Sequence, residues 1–216
     1  MRFGFSKATV VAGAFGLLAA LVPGPASATF SMVDGGSLDM DTSAVHFRLG
    51  VPFLGVDYLA DHTDDIDLGF GLLVNYLSPT LEPSFLMRWQ VGEGQEYNIG
   101  ITARAGLHWN LGFWRERSHP RNFGLRLTPG FVLGMHPHPA YSSYFLVEAP
   151  FLWTWGYGGG FALPVRAGMG FEYAMTPDAK FVAYGGGGPR FEGGGGHIGG
   201  VFLDLDVWLG ISLQMF

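Results

Sequence analysis

The 216-residue chain contains no cysteine. That excludes disulfide stapling, a thiol nucleophile and thiolate-held zinc together. Lysine is almost as scarce, with Lys7 and Lys180 the only two. Charged residues reach 14%, against about 25% in ordinary soluble domains, which coat themselves with Lys and Glu. No basic patch marks a nucleic-acid partner. Beyond the first 28 residues, no apolar run approaches the ~20 residues of a membrane-spanning helix. If such a chain enters a membrane it must do so as a closed barrel, since only helices and barrels satisfy the backbone in lipid.

The first residues are of another kind. In "MRFGFSKATVVAGAFGLLAALVPGPASA", Arg2 and Lys7 flank the start of an apolar run from Ala8 to Val22, and Ala26-Ser27-Ala28 closes it. These are the parts of a secretory signal peptide, which predicts export, cleavage after residue 28 and a second unit over 29–216. No Cys follows the cleavage site, so a lipoprotein anchor is not available. Removing Arg2 and Lys7 leaves 10 basic against 18 acidic residues, a net charge of −8.

What the chain has in quantity is glycine, aromatic residues and alternation. In "YNIGITARAGLHWNLG" (97–112), Tyr97, Ile99, Ile101, Ala103, Ala105, Leu107, Trp109 and Leu111 alternate with Asn98, Gly100, Thr102, Arg104, Gly106, His108, Asn110 and Gly112. This period of two predicts a strand with unlike faces. The pattern recurs over 45–60, 66–77, 84–92, 123–135, 141–155, 161–175, 179–190 and 200–216. Strings such as "DHTDD", "SPTLEP", "GEGQE", "WRERSHPRN", "HPHPA", "TPD" and "GGGGPRFEGGGGHI" separate the segments, and their Gly, Pro, Asp and Asn mark turns. Nine segments cannot close an even-stranded barrel. The expectation is therefore an all-β, closed antiparallel up-and-down transmembrane barrel of eight to ten strands, ten preferred, with 29–44 supplying a first strand or a periplasmic lead-in.

The polar face is mostly Gly, Ser, Thr and Asn with single charges, which suits the lining of a narrow barrel. The opposite orientation would turn Arg48, Arg88, Arg104, Arg126 and Arg166 toward lipid. Each would cost about 2–4 kcal/mol near the midplane, together comparable to a whole fold's stability of about 5–15 kcal/mol. The apolar face is therefore assigned to the outside. Tyr76, Trp89, Tyr97, Trp109, Tyr141, Trp153, Trp155 and Tyr173 share its parity and fall mostly near segment ends, where interfacial girdles belong.

Leader, amphipathic hairpins, scarce lysine and the final strand "VWLGISLQMF" together resemble the small outer-membrane β-barrel proteins of Gram-negative bacteria. The resemblance covers 45–216 as pattern rather than as alignable sequence. It implies outer-membrane lipid as the surroundings and the barrel-insertion machinery as a biogenesis partner. It also implies a C-terminal insertion signal, onto which Gly210, Leu213 and Met215 fall, with Phe216 one residue late. Both termini would then face the periplasm, along with "DHTDD", "GEGQE", "HPHPA" and "TPD". Residues 113–122 and 185–199 become external loops.

The inward parity carries Arg48, Arg88, Arg104, Arg126 and Arg166 with Asp67, Glu148, Glu172, Asp204 and Asp206. Unpaired buried charge is costly, so these ten residues are expected to form a network that plugs the lumen. Arg48, Arg126 and Arg166 would lie near Asp204 and Asp206, with Arg88, Arg104 and Glu148 nearer the middle. A water-filled lumen is the alternative. No metal or cofactor site is expected: His136 and His138 in "MHPHP" read as a turn, and His46 and His108 as satisfied lining residues. Some barrels of the resembled class are lipid- or peptide-modifying enzymes. The candidate constellation, Glu116, Ser118 and His119, sits in one loop and lacks triad spacing. The expected role is therefore non-enzymatic, structural or interacting through external loops, with a narrow passive channel as the second reading and a rim-located enzyme as the third.

Overall fold

A computed structural model describes residues 30–77, 79–111, 122–156, 159–194 and 197–215. The expected leader with Thr29, together with Ser78, residues 112–121, 157–158 and 195–196 and Phe216, lies outside the described residues, and so do Glu116, Ser118 and His119. The described chain forms ten strands: β1 (Ser43–Val51), β2 (Phe53–Thr63), β3 (Ile66–Asn75), β4 (Thr80–Glu93), β5 (Tyr97–Asn110) and β6 (Asn122–His138) come first. They are followed by β7 (Tyr141–Glu148, resuming as Phe151–Gly156), β8 (Gly160–Pro164, resuming as Arg166–Thr176), β9 (Ala179–Gly194) and β10 (His197–Met215). Each strand pairs antiparallel with its sequence neighbours, and β10 pairs with β1 to close the barrel.

Several boundaries differ from the sequence expectation, among them the start of β4 at Thr80, inside "SPTLEP". The segment 45–60 is two strands that turn at Pro52, which has no N–H to continue a ladder. That turn supplies the tenth strand, so 29–40 does not. It also reverses the parity: Leu54, Val56 and Tyr58 face outward while Asp57 and Leu59 are buried inside. The glycine-rich stretch 185–199 is mostly strand, because glycine's missing side chains erase the alternation without preventing pairing of β9 with β10 up to Gly194↔His197. "HPHPA" likewise yields its histidines to β6, which reaches His138 through a bulge after Met135.

The hairpins at 64–65, 94–96, 139–140 and 177–178 make one end of the barrel, here the lower end. Residues 30–42 enter the lumen from that end. Phe30, Met32 and Leu38 pack against Ala44, Leu59 and Leu86 of the wall. Gly35 passes so close to β5 that a Cβ there would lie 2.5 Å from the Gly100 nitrogen. Asp41, with φ of 62°, turns the segment back toward β1.

The strands lengthen around the barrel, from 9 residues in β1 to 14 in β5 and 19 in β10. At the upper rim the partners Phe53↔Asn75, Asn75↔Thr80, Thr80↔Asn110, Asn110↔Asn122 and Asn122↔Gly156 form one hydrogen-bonding row. Because barrel strands tilt, such a row climbs as it goes round. The wall therefore rises from β1 to β10 and ends in a step, since Val51 at the top of β1 pairs with Val207.

Candidate functional site

Alternation sends large apolar side chains outward on every strand, among them Phe47, Tyr58, Phe70, Phe85, Ile101, Leu125, Phe131, Phe145, Met169 and Leu209. Tyr76, Trp89, Tyr97, Trp109, Tyr141, Trp153 and Trp155 are exposed, and Tyr173 is half-buried beside its pairing partner Tyr141. At the upper end Trp109, Phe123 and Trp155 follow one another along the pairing row, and the Phe123 and Trp155 rings stack 6.1 Å apart. At the lower end Trp89, Tyr97, Tyr141 and Tyr173 lie next to the hairpins. Gly210, Leu213 and Met215 sit in β10 opposite Arg48, Val45 and Ser43.

The chemistry-bearing side chains face inward and fall into two groups. In the lower lumen the chain segment 30–38 is held by the wall. Arg88 Nη1 donates to the Ser31 carbonyl at 2.6 Å, and Asp67 accepts from Arg88 Nε at 2.7 Å and from the Leu38 nitrogen at 3.1 Å. The Ser37 nitrogen donates to Gln90 Oε1 at 2.6 Å. His136 Nε2 lies 3.1 Å from Asp34 Oδ2, so its side chain closes on the plug from β6. Burial pushes the Asp34 carboxyl up, but the His136 hydrogen bond and the Arg88 charge outweigh it and hold it below its ordinary value. Glu172 Oε2 receives Lys180 Nζ and Ser142 Oγ, each at 3.2 Å, and the Lys180 ammonium lies 5.3 Å from the Phe30 ring.

In the upper lumen, among the described residues, side chains alone do the filling. Asp57 Oδ2 is shared by Arg48 at 2.6 Å and Arg104 at 2.8 Å. Glu82 receives Arg126 at 2.6 Å and His108 at 2.5 Å. Arg166 joins Glu148 at 3.0 Å, Asp206 at 3.4 Å and Asp204. Between the two groups an aromatic run follows the wall from β7 to β1: Tyr144 stacks on Tyr184 (6.2 Å), Tyr184 on Trp208 (5.4 Å), and His46 meets Trp208 edge-on at 5.2 Å. Gly168 and Gly170 leave the room on β8 that the Tyr184 and Tyr144 rings occupy.

All ten sequence-expected network residues line the lumen, but several partners differ. Arg48 pairs with Asp57 rather than with Asp204 or Asp206, and Arg88 with Asp67 in the lower half. Asp57, Glu82, Lys180 and Asp34 were missed. Unbroken alternation over 45–60 puts Asp57 on the outer parity, which the turn at Pro52 reverses, and Glu82 stands in "SPTLEP", whose turn-like composition hides the start of β4. Lys180 lay in the strand blurred by glycine. Asp34 has no periodic signal, since its segment is not a strand.

The lumen retains cavities of about 90 Å³ in its upper half, between Arg48, Phe53, Arg126, Arg166 and Tyr184, and about 150 Å³ where the two groups meet, between Met32, His46, Arg88, Arg104 and Tyr144. At ~30 Å³ per water these are sized for a few solvent molecules. His46 Nδ1 and Ser212 Oγ are 2.8 Å apart, yet both side chains are fully buried and no carboxylate hydrogen-bonds that imidazole. Among the described residues no group of three His, Asp or Glu is arranged to hold a metal ion. Comparison of the chain with models of known protein families and with curated proteins yields no match.

Proposed function

We propose that this protein is an outer-membrane β-barrel, exported by its leader, whose lumen is closed and whose work is done at its upper, external rim. The observation that carries this reading is the inversion of a soluble barrel. Large apolar side chains are exposed around the whole circumference, and the ionic groups are sequestered inside. A water-exposed surface of that kind would far exceed the few hundred Å² of contiguous apolar patch found on soluble monomers. The short strands β1 to β3, of 9, 11 and 10 residues, match the ~9–11 residues that cross a bilayer when tilted.

Closure is supported by the buried segment 30–38 below and by the paired arginines above. These weigh against the passive-channel reading. A rim-located enzyme finds no convergent nucleophile, base and acid among the described residues.

The deciding experiment uses residues 29–216 refolded in detergent and inserted in a planar bilayer. Folding is verified separately by a shift between boiled and unboiled gel samples. Silence from folded protein is the expected result. Steady openings would overturn closure, and a monomer purified from aqueous extract without detergent would overturn membrane insertion.

A further inference from the structure

Among the described residues, the step in the rim leaves β10 with one side bare. β1 stops at Val51, which pairs with Val207, and Pro52 turns the chain away. From His197 to Asp206, ten residues, β10 is paired with β9 but with no strand on its other side among the described residues. At ~3.3 Å per residue and a tilt near 40°, this edge rises about 25 Å above the top of β1. Every second residue along it turns an N–H and a C=O toward the gap. Unpaired edges of this length are templates for strand addition, and soluble proteins blunt or cover them.

The side chains along the edge set the chemistry. Val201, Leu203 and Leu205 are 67%, 74% and 63% exposed on the outer face, while Phe202, Asp204 and Asp206 alternate with them on the lumen side. Around those two aspartates stand Glu148 and Glu192 with Arg166 and Arg190, four carboxylates to two guanidinium groups. The other upper arginines, Arg48, Arg104 and Arg126, are engaged by Asp57 and Glu82.

We infer that the free edge of β10, residues 197–206, is a docking site for an extended peptide segment with apolar residues at alternate positions and basic residues between them. The incoming strand continues the track of β1 above Val51, so it extends a ladder the barrel already uses. Main-chain hydrogen bonds supply affinity, as in other strand additions. Its apolar positions extend the Val201–Leu203–Leu205 face, and its basic positions meet Asp204 and Asp206. Acidic strands are repelled by the same two residues, which gives the site its selectivity.

This inference rests on the upper rim being the working surface, and it is tested separately from that reading. The probe is an end-blocked, fluorescent decapeptide of alternating valine and arginine, added to full-length refolded protein whose folding is verified by gel shift. Saturable binding is expected, weakened at least tenfold when alternate peptide nitrogens are methylated and at least tenfold when glutamate replaces arginine. Because the chain has no cysteine, Val201→Cys and Phe70→Cys each provide a single thiol. A thiol-reactive form of the peptide should label the first and spare the second. Absence of binding to folded protein overturns the inference while leaving the closed barrel standing. So does binding indifferent to N-methylation, equal labelling at both thiols, or displacement of the peptide by added phospholipid, which would assign the edge to lipid.

Discussion

In the lower lumen Phe30, Met32 and Leu38 press against the wall and the Arg88–Asp67 pair is 2% and 0% exposed, whereas in the upper lumen no chain segment enters among the described residues and the Arg126–Glu82 pair is 18% and 8% exposed. At the very rim the Arg190–Glu192 pair reaches 38% and 37%. The same ionic chemistry is thus set out at three depths of solvation. A buried pair broken on one side leaves a charge that nothing else solvates, while an exposed pair hands its charge back to water. The comparison also separates two ways of filling a barrel. A segment can be withdrawn as one piece, but a side-chain network must be dismantled contact by contact.

The largest effect is expected from Arg88→Met. It strands Asp67 and frees the Ser31 carbonyl, and should cost about 3–5 kcal/mol in urea unfolding of the micelle-bound protein. Asp67→Leu combined with Arg88→Met should recover much of that loss. The part not recovered measures what the hydrogen bonds of the pair to Ser31 and Leu38 contribute to holding the plug. Next comes Gly35→Val, whose side chain collides with the Gly100 backbone. It should displace the plug with the barrel still folded, seen as cleavage of residues 30–42 by added protease and, if the upper network is leaky alone, as the onset of conductance.

A smaller effect concerns acid. The carboxyl of Asp34 is held below its ordinary value in the folded state, so its stabilising contribution is fully present above the unfolded carboxylate range near pH 4 and is lost as pH falls through the folded value. Protease access to the plug should therefore rise at low pH, and Asp34→Asn should make access high at neutral pH and flatten its pH dependence. In the upper lumen a double-mutant cycle of Arg166→Met with Asp204→Asn should return a coupling of about 0.5–3 kcal/mol. At the rim, Arg190→Gln should change stability by no more than about 1 kcal/mol. Equal effects at Arg88 and Arg190 would erase the depth gradient.

Legibility in the sequence followed the same division. Strands with polar residues on one parity, such as 97–112, could be read outright, because a side-chain period of two survives in the one-dimensional text. Where glycine removes the side chains, as at 185–188, the period vanishes while the backbone still pairs. At Pro52 one turn residue inverted the parity of everything to Thr63, and so hid Asp57. The plug had no signal at all. Phe30, Met32 and Asp34 are placed by contacts to Leu59, Leu86, His136 and Lys180, which lie far away in the chain.

The amino-acid sequence by itself determined that this chain pairs antiparallel strands and which face of each strand is apolar, since alternation at adjacent residues is a local property. Tertiary structure alone decided that residues 30–38 fill the lower lumen and which carboxylate each arginine meets. It also decided that the rim ends in a step beside β10. Those outcomes depend on closure: the offset accumulated strand by strand around the ring becomes visible only where the last strand meets the first.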